Sequence, residues 1–282
     1  NGCTSISELS KAYPRGEKKL KQAFREFSTK DTMTWFENRN VPLVIQEDGC
    51  VFPISQDSQS IIDCFLKEAK ELGIEIETGR LVETIVKKER KLCITFRGNE
   101  LNYEFDKLII ATGGSPKKSG LEWLEKLGHK IETPVPSLFT FKIKDKALTE
   151  LMGISIQDVS TSIIGSSFKE TGPLLITHWG LSGPAILKLS AWGAFFLNEK
   201  NYNFQISVNW MGSLSENKVL EEIYILIDKH PNGKVQNHRF SKFSQRIWNY
   251  LIDKADIADD KKWSEISKKN INKLSQVLTN TV

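Results

Sequence analysis

The apolar residues of this chain recur with two periods, and the change of period along the sequence divides it into three zones. In residues 1–137, helical and strand patterns are mixed. In residues 138–213, strand patterns dominate, at 138–143, 154–157, 160–164, 173–177 and 203–209, with one helix beginning near Ser182-Gly183-Pro184. In residues 214–282, apolar residues return at helical spacing in three stretches, which predicts a small helical bundle.

In the first zone, the patterns predict helices from Glu17, from about Asp31 and over residues 61–72, with Gly73 permitting a left-handed exit from the last helix. The apolar stripe of that last helix should be buried. Strands are predicted at residues 41–45, 74–77, 81–86, 92–96 and 101–105. The last two flank Arg97-Gly98-Asn99, a hairpin signature. This order of elements predicts an α/β nucleotide-binding domain in which an antiparallel meander replaces one crossover helix.

Residues 108–114 form the stretch around which this domain is best understood, since four apolar residues run directly into Thr112-Gly113-Gly114. An apolar run without alternation is typical of a strand buried on both faces of a parallel sheet. Glycines at the carboxyl end of such a strand let the backbone approach a bound group closely. Taken alone, the residues favour an ordinary buried strand with a glycine turn over a ligand site.

A second candidate site is the stretch from Thr177 to Pro184, which places His178 and Ser182 beside glycines at a predicted helix start. A helix N-terminus can present amides to an anion or a polarised carbonyl. The alternative is a simple helix cap, in which Ser182 caps and Gly180 turns the chain. No GxSxG nucleophile motif is present, which argues against a hydrolase triad, and the four histidines and four cysteines form no ligand spacing that predicts a metal site.

Composition excludes several classes of protein. The net charge of +4 is a small excess, so we expect neither a nucleic-acid partner nor an anionic membrane surface. No apolar run approaches the ~18 residues of a membrane span, and the N-terminus lacks a signal-peptide pattern. The cysteines show no CxxC pair, which favours free thiols and a cytoplasmic location.

Several motifs together resemble a bacterial family of NAD(P)/FAD-dependent oxidoreductases, the aminoacetone-oxidase-like flavoproteins. The most specific is Thr177-His178-Trp179-Gly180-Leu181-Ser182-Gly183-Pro184. The others, in the family's order, are Tyr13-Pro14-Arg15-Gly16, Cys50-Val51-Phe52-Pro53-Ile54-Ser55, the helix to Gly73 with Val82 after it, Ile110-Ala111-Thr112-Gly113-Gly114, Leu127-Gly128-His129 and Pro134-Val135-Pro136-Ser137-Leu138.

The resemblance implies a fold and a set of site residues. The fold is a partial Rossmann-like FAD-binding domain (1–137) with an inserted β-barrel-like domain (138–213) and a helical insert (214–282). The resemblance places the cofactor-binding residues at Asn1, Val82, Ala111, Thr112, Gly113 and Gly114. Residues facing the flavin or substrate would be Thr177, His178, Gly180, Ser182 and Gly183. The family pattern indicates no catalytic residue.

The resemblance also implies a function: hydride transfer between a small-molecule substrate and FAD, with NAD(P)H as a candidate second cofactor. The family's glycine fingerprint GxGxxG and the C-terminal segment of its FAD domain have no counterpart in this sequence. We therefore expect the middle part of a longer enzyme, inactive by itself and weak in FAD binding. The alternatives are a non-catalytic binding module and a flavin-dependent tRNA-modifying enzyme.

Overall fold

A computed structural model of the chain describes residues 2–282, with the side chains of residues 99 and 100 excepted. The chain forms two compact units. The first runs to Gly114 and includes residues 119–131, and the second comprises residues 115–118 and 132–282. In the described part of the chain, no helix is long and apolar enough to cross a membrane.

The first unit is built from short helices and two small antiparallel sheets. In chain order its elements are α1 (Ile6–Lys11), α2 (Glu17–Glu26), α3 (Thr29–Glu37), β1 (Leu43–Ile45), β2 (Val51–Pro53), α4 (Gln59–Glu71), β3 (Val82–Lys88), β4 (Lys91–Phe96), β5 (Asn99–Phe105) and α5 (Glu122–Glu125). Strands β1 and β2 form a hairpin, and β3, β4 and β5 form the predicted meander. Ser28 fixes the start of α3 through a capping box with Asp31.

Two predicted strands of this unit do not form. Residues 74–77 and 108–111 have no regular structure, and Ile109 is 91% exposed. The uninterrupted apolar run at residues 108–111 is typical of a parallel strand, which is stable only when flanked by strands and covered by helices. The alternating residues 74–77 likewise need a neighbouring strand. Every ladder between the strands of residues 2–282 is antiparallel, and neither segment belongs to one. A buried strand at residues 108–111 is therefore wrong for this chain, and a Rossmann-like sheet stays a prediction.

The apolar stripe of α4 is also exposed rather than buried. Phe65 is 53% exposed and Leu66 is 49% exposed, although the helix itself forms where it was predicted. Gly73 ends the helix with a positive φ of 66°, as expected for a left-handed exit. The Phe65 ring contacts the rings of Trp35 and Phe36, each at 5.5 Å between centroids. Ile62, Leu66 and Leu72 lie open to solvent.

The second unit combines a curled antiparallel sheet with a group of helices. Its elements are β6 (Phe141–Lys142), α6 (Lys146–Thr149), β7 (Ser155–Ile163), β8 (Lys169–Thr177), β9 (Gly180–Ser182), α7 (Pro184–Trp192), α8 (Ala194–Glu199), β10 (Ile206–Asn209), α9 (Glu216–Lys229), α10 (Gln245–Lys254) and α11 (Lys268–Thr279). The strand order is β10-β7-β8-β9-β6. The helices predicted beyond residue 214 are formed, and the single helix predicted after Ser182 is two, α7 and α8, that meet at Gly193.

One continuous hydrophobic core joins this sheet to the helices. Its largest fully buried side chains are Trp210 after β10, Trp248 on α10 and Trp263 before α11. Such aromatic side chains contribute much of the burial that stabilises a core of this size. The sheet and the helices beyond residue 214 are therefore interdependent in folding, while the domain boundaries predicted at residues 137 and 213 stay predictions.

Trp248 also carries a polar contact into this core, since its indole Nε1 donates a 2.9 Å hydrogen bond to the carbonyl of Val235. We expect Trp248→Phe to lower the free energy of unfolding by about 2 kcal/mol or more, because a buried carbonyl loses its donor and the ring leaves a gap. Chemical denaturation measures the change. The matched control is Trp179→Phe, at a side chain 51% exposed, which should stay within about 0.5 kcal/mol. Equal losses of stability in Trp248→Phe and Trp179→Phe would contradict the assignment of Trp248 to the hydrophobic core.

Asp145 caps α6 through one contact and connects the segment after β6 to α10 through two others. Its carboxylate accepts from the Leu148 amide at 3.2 Å and the Tyr250 hydroxyl at 3.2 Å, and it forms a 2.6 Å ion pair with Lys254. Partial burial acts to raise the pKa of this carboxyl, but Lys254 and the hydrogen bonds outweigh it and the pKa is lowered. Burial raises the pKa of the Tyr250 phenol, and the neighbouring Asp145 carboxylate raises it further.

Acid should therefore weaken this connection. A lowered folded-state pKa stabilises the protein above the unfolded value of about 3.9, and that contribution is lost as the pH falls through the folded value. We expect Asp145→Asn to be less stable than the wild type near pH 7 and to lose less stability between about pH 4 and pH 2. Urea unfolding at a series of pH values measures both. Parallel pH profiles for the two proteins would contradict this origin of acid sensitivity.

Candidate functional site

The cofactor-binding residues expected in the first unit lie on open backbone. Ala111, Thr112, Gly113 and Gly114 are all exposed. Gly113 has a φ of 77°, and a Cβ built on Gly113 or Gly114 would meet no heavy atom within 4 Å. The corner is thus free of obstruction, so a nucleotide could approach its backbone closely.

Val82 and Asn1 complete the expected cofactor set. Val82 begins β3, where it pairs with Phe96 and is 45% exposed. Asn1 lies outside the described residues. The structure therefore leaves Val82 and the glycine corner each accessible, and their joint role in binding FAD stays a prediction.

In the second unit, the expected flavin-facing residues form the β8–β9 hairpin. Thr177 pairs with Gly180, so His178 and Trp179 alone form the turn between the strands. The Thr177 hydroxyl donates to the Gly180 carbonyl at 3.1 Å and steadies the turn. Both turn residues are exposed, and their rings lie 4.2 Å apart between centroids. The hairpin presents an imidazole and an indole side by side at its tip.

The glycines of this motif are required by packing. A Cβ on Gly180 would lie 2.1 Å from the Phe141 carbonyl oxygen, because β6 runs directly against β9 at this point. A Cβ on Gly183 would lie 2.8 Å from the Pro173 carbonyl oxygen. Gly183 is also the N-cap of α7, with Pro184 in the first turn, whereas Ser182 pairs with Leu175 as the last residue of β9. The alternative in which Ser182 caps the helix is therefore wrong.

Trp179 is the candidate that sequence reasoning left out of its site. Its ring is 51% exposed, which is unusual for a large aromatic side chain in a well-packed unit. No sequence pattern could have identified it, because its exposure follows from the pairing of Gly180 with Lys142 and Thr177 in the sheet. An exposed aromatic ring of this kind is a surface on which a planar ligand can stack.

The remaining histidines do not form a metal centre. His230 and His238 stack with ring centroids 4.1 Å apart, and His238 lies closely against Gly233. Within residues 2–282, no group of three or more His, Cys, Asp and Glu side chains is arranged to hold a metal ion. These two rings pack against each other within the loop that follows α9, and this local packing explains why they are stacked.

The chain is similar to known proteins along most of its length. The model of the HI0933-like protein barrel and H2TH domain matches residues 135–282, just over half of the chain. The chain belongs to the HI0933-like family. This family is one of flavoprotein-type oxidoreductases associated with FAD, which confirms the broad family expected from the motifs. The aminoacetone-oxidase-like designation and the use of NAD(P)H gain no support.

Two curated relatives carry the same name, ribosomal RNA dihydrouridine synthase. The protein of Haemophilus influenzae is 26% identical over 256 residues, which are 83% of this chain and 63% of the relative. The protein of Escherichia coli is 26% identical over 214 residues, which are 72% of this chain and 49% of the relative. The chain thus spans from about half to somewhat less than two thirds of the length of these two relatives.

The contrast between Gly180 and Gly114 gives a direct test of which glycines are structural. We expect Gly180→Ala to lower the free energy of unfolding by about 3 kcal/mol or more, because the new methyl group overlaps the backbone of β6 and φ is +154°. Gly114→Ala, in open space, should change it by no more than about 0.5 kcal/mol. Thermal and urea unfolding provide the comparison. A stable Gly180→Ala protein would show that β6 does not lie against β9 as described.

Proposed function

We propose that the intact protein is a flavin-dependent enzyme that reduces a uridine of ribosomal RNA to dihydrouridine. The observation that carries the proposal is the relationship to two proteins of that name, one of them over 83% of this chain. Membership of a flavoprotein family supports the redox chemistry that such a reaction requires.

The glycine corner supports the cofactor part of the proposal. Gly113 and Gly114 are open to solvent and would allow the backbone at residues 111–114 to lie along FAD, with Val82 close to the adenine. FAD held along residues 111–114 would, in its reduced form, supply the hydride that together with one proton converts the C5–C6 double bond of uracil to a single bond. The exposed apolar residues of the first unit, Ile109 among them, support completion of the cofactor domain by further polypeptide in the intact protein.

The hairpin tip supports the substrate part. A uracil taken out of an RNA strand offers two flat faces, and aromatic side chains bind such bases by stacking. The exposed ring of Trp179 provides such a surface, and His178 places an imidazole beside it. We infer that this turn contacts the substrate base, while the paired strands β8 and β9 hold it in place.

The family resemblance implies a small-molecule substrate, and the net charge of +4 separately gives the expectation that the protein has no nucleic-acid partner. That expectation has not been tested, and it rests on the weakest kind of observation, since net charge reports on non-specific attraction rather than on a site. A single base bound by stacking does not require a strongly basic protein. The relatives' names therefore outweigh the charge in the choice of substrate.

The decisive experiment measures dihydrouridine in ribosomal RNA from cells that lack the gene and from cells complemented with variants of the intact protein. Wild type should restore the modification. Trp179→Ala should reduce its rate of formation by about tenfold or more, since stacking on one aromatic ring contributes about 1–3 kcal/mol per base. Tyr224→Ala is the matched control, as an exposed aromatic residue on α9.

The cofactor is assayed on the same purified proteins. Wild type and Trp179→Ala should contain bound FAD, detected by its visible absorbance, whereas Gly114→Ala should contain less because a methyl group separates backbone from cofactor. An intact protein that binds FAD but leaves ribosomal RNA unchanged would contradict ribosomal RNA as the substrate and would favour a small-molecule substrate. An intact protein without flavin would overturn the proposal as a whole.

A further inference from the structure

The connection from α9 to α10, together with α10 itself, carries an excess of positive charge. Between Asp228 and Asp253, residues 229–252 contain five Lys and Arg side chains and no Asp or Glu. The whole chain, by comparison, contains 39 basic and 35 acidic residues. The small net charge of the protein therefore does not reflect this local basic segment, and a local excess of this kind is the feature that indicates an anionic partner.

Two cations of this segment reach from the start of α10 to residues 150–158 and are held there by backbone carbonyls. Nζ of Lys242 donates to the Asp158 carbonyl at 3.2 Å, and Nη2 of Arg246 donates to the Glu150 carbonyl at 2.8 Å. A carbonyl accepts a hydrogen bond without neutralising the charge of the donor. Burial lowers the pKa of Lys242, and the nearby Asp158 offsets this only in part, so an incoming anion would stabilise the charged amine.

Arg239 is a third cation held by neutral groups, just before α10. Its Nε donates to the Phe243 carbonyl at 2.9 Å and its Nη1 donates to Oε1 of Gln245 at 3.1 Å, which fixes the plane of an exposed guanidinium. In the described part of the chain, none of the ion pairs includes Arg239, Lys242 or Arg246. These three residues, the basic cluster, therefore keep their charge available to an anion from outside.

The basic cluster lies a short distance from the hairpin tip. Arg246 contacts the Glu150 carbonyl, and the amide of Gly153, three residues later, donates to the Ile176 carbonyl at 2.9 Å. Ile176 in turn precedes Trp179 by three residues. Two steps of three residues and one strand spacing amount to roughly 27 Å at most, which about eight nucleotides cover at the 3.4 Å spacing of a stacked strand. One short strand of RNA can therefore contact both places.

Lys144 places one more exposed cation beside the tip. The Ile143 amide donates to the Trp179 carbonyl at 2.9 Å, so continuing the register between β6 and β9 puts the next residue, Lys144, opposite His178. The Lys144 side chain is exposed. Positive charge is thus present next to the stacking ring as well as at the basic cluster, which suits a polyanion that extends from one to the other.

We propose that the basic cluster binds phosphate groups of the RNA strand whose uracil stacks on Trp179, an inference that rests on the proposed function for the identity of the strand. Contacts from Arg and Lys to phosphates position a nucleic acid without reading its sequence, whereas an aromatic ring holds a base. The two places therefore have different tasks. The cluster supplies affinity that depends on salt, and Trp179 supplies affinity that does not.

The test measures how the affinity of the intact protein for RNA depends on salt. The probe is a fluorescein-labelled oligouridylate of about 12 nucleotides, long enough to cover both places, and its anisotropy is followed at a series of KCl concentrations. The cluster variant carries Arg239→Gln, Lys242→Gln and Arg246→Gln. Each phosphate contact to a single strand contributes about 0.7 to the slope of log affinity against log salt, so the variant should lose about 2 from that slope and bind about tenfold or more weakly at low salt.

Three matched variants show whether the effect belongs to the cluster. Lys218→Gln, Lys268→Gln and Lys269→Gln together remove the same charge from exposed side chains on α9 and α11 and should leave the slope unchanged. The pair Arg239→Lys and Arg246→Lys loses the same guanidinium hydrogen bonds but keeps both charges, so it should keep the slope and thereby exclude misfolding as the cause. Trp179→Ala should weaken binding at an unchanged slope.

Several results would overturn the proposal. Equal losses of slope in the cluster variant and the α9–α11 control would show that only overall charge matters, and a wild-type protein that does not bind the oligouridylate would exclude an RNA partner. An unchanged slope in the cluster variant, with lost binding to phosphatidylglycerol vesicles, would identify an anionic membrane as the partner instead.

The proposed function is decided separately, by the dihydrouridine content of ribosomal RNA. If cells that lack the gene keep their dihydrouridine while the cluster variant still loses its slope, the basic cluster is an RNA-binding site and the proposed reaction is wrong. If the gene is required for dihydrouridine while the cluster variant keeps its slope, the reaction stands and the assignment of the phosphate contacts is wrong.

Discussion

Strand pairing is the constraint on which the rest of this protein depends. Where a strand finds an antiparallel neighbour a few residues away, as β4 does on both sides, the structure is formed and its apolar residues Cys93 and Ile94 are buried. Where the sequence is suited to a parallel sheet, as at residues 108–111, the segment stays irregular and exposed. The difference is one of chain distance: antiparallel pairs close locally, whereas a parallel sheet needs distant partners and helical cover.

This constraint also explains what the sequence could and could not predict. Periodicity located α2, α4 and the three long helices of the second unit, because each has an amphipathic stripe longer than two turns. The meander was found from its alternation and from the turn at Gly98. The prediction that the apolar stripe of α4 is buried was wrong. An apolar stripe indicates that a helix packs against another surface, but it does not show which part of the protein provides that surface. The strand at residues 108–111 failed for the same reason.

The candidate site shows a similar division. Glycines at residues 180 and 183 stood out in the sequence, but only coordinates show that β6 and β8 come too close for any side chain there. The resemblance that grouped Thr177 to Gly183 found the right segment without showing which residues are exposed. Trp179 emerges as the prominent ring because its neighbour Gly180 is fixed in the sheet, and no pattern in a single sequence contains that information.

The exposed side chains of α4 have a consequence for the behaviour of the protein in the cell. Phe65, Leu66 and Ile109 are the kind of surface that molecular chaperones bind and that quality-control proteases sample. The second unit buries one continuous core, whereas the first unit leaves these apolar side chains open to solvent. The first unit is therefore the part of the described chain that depends more on protection from aggregation and proteolysis in the cell.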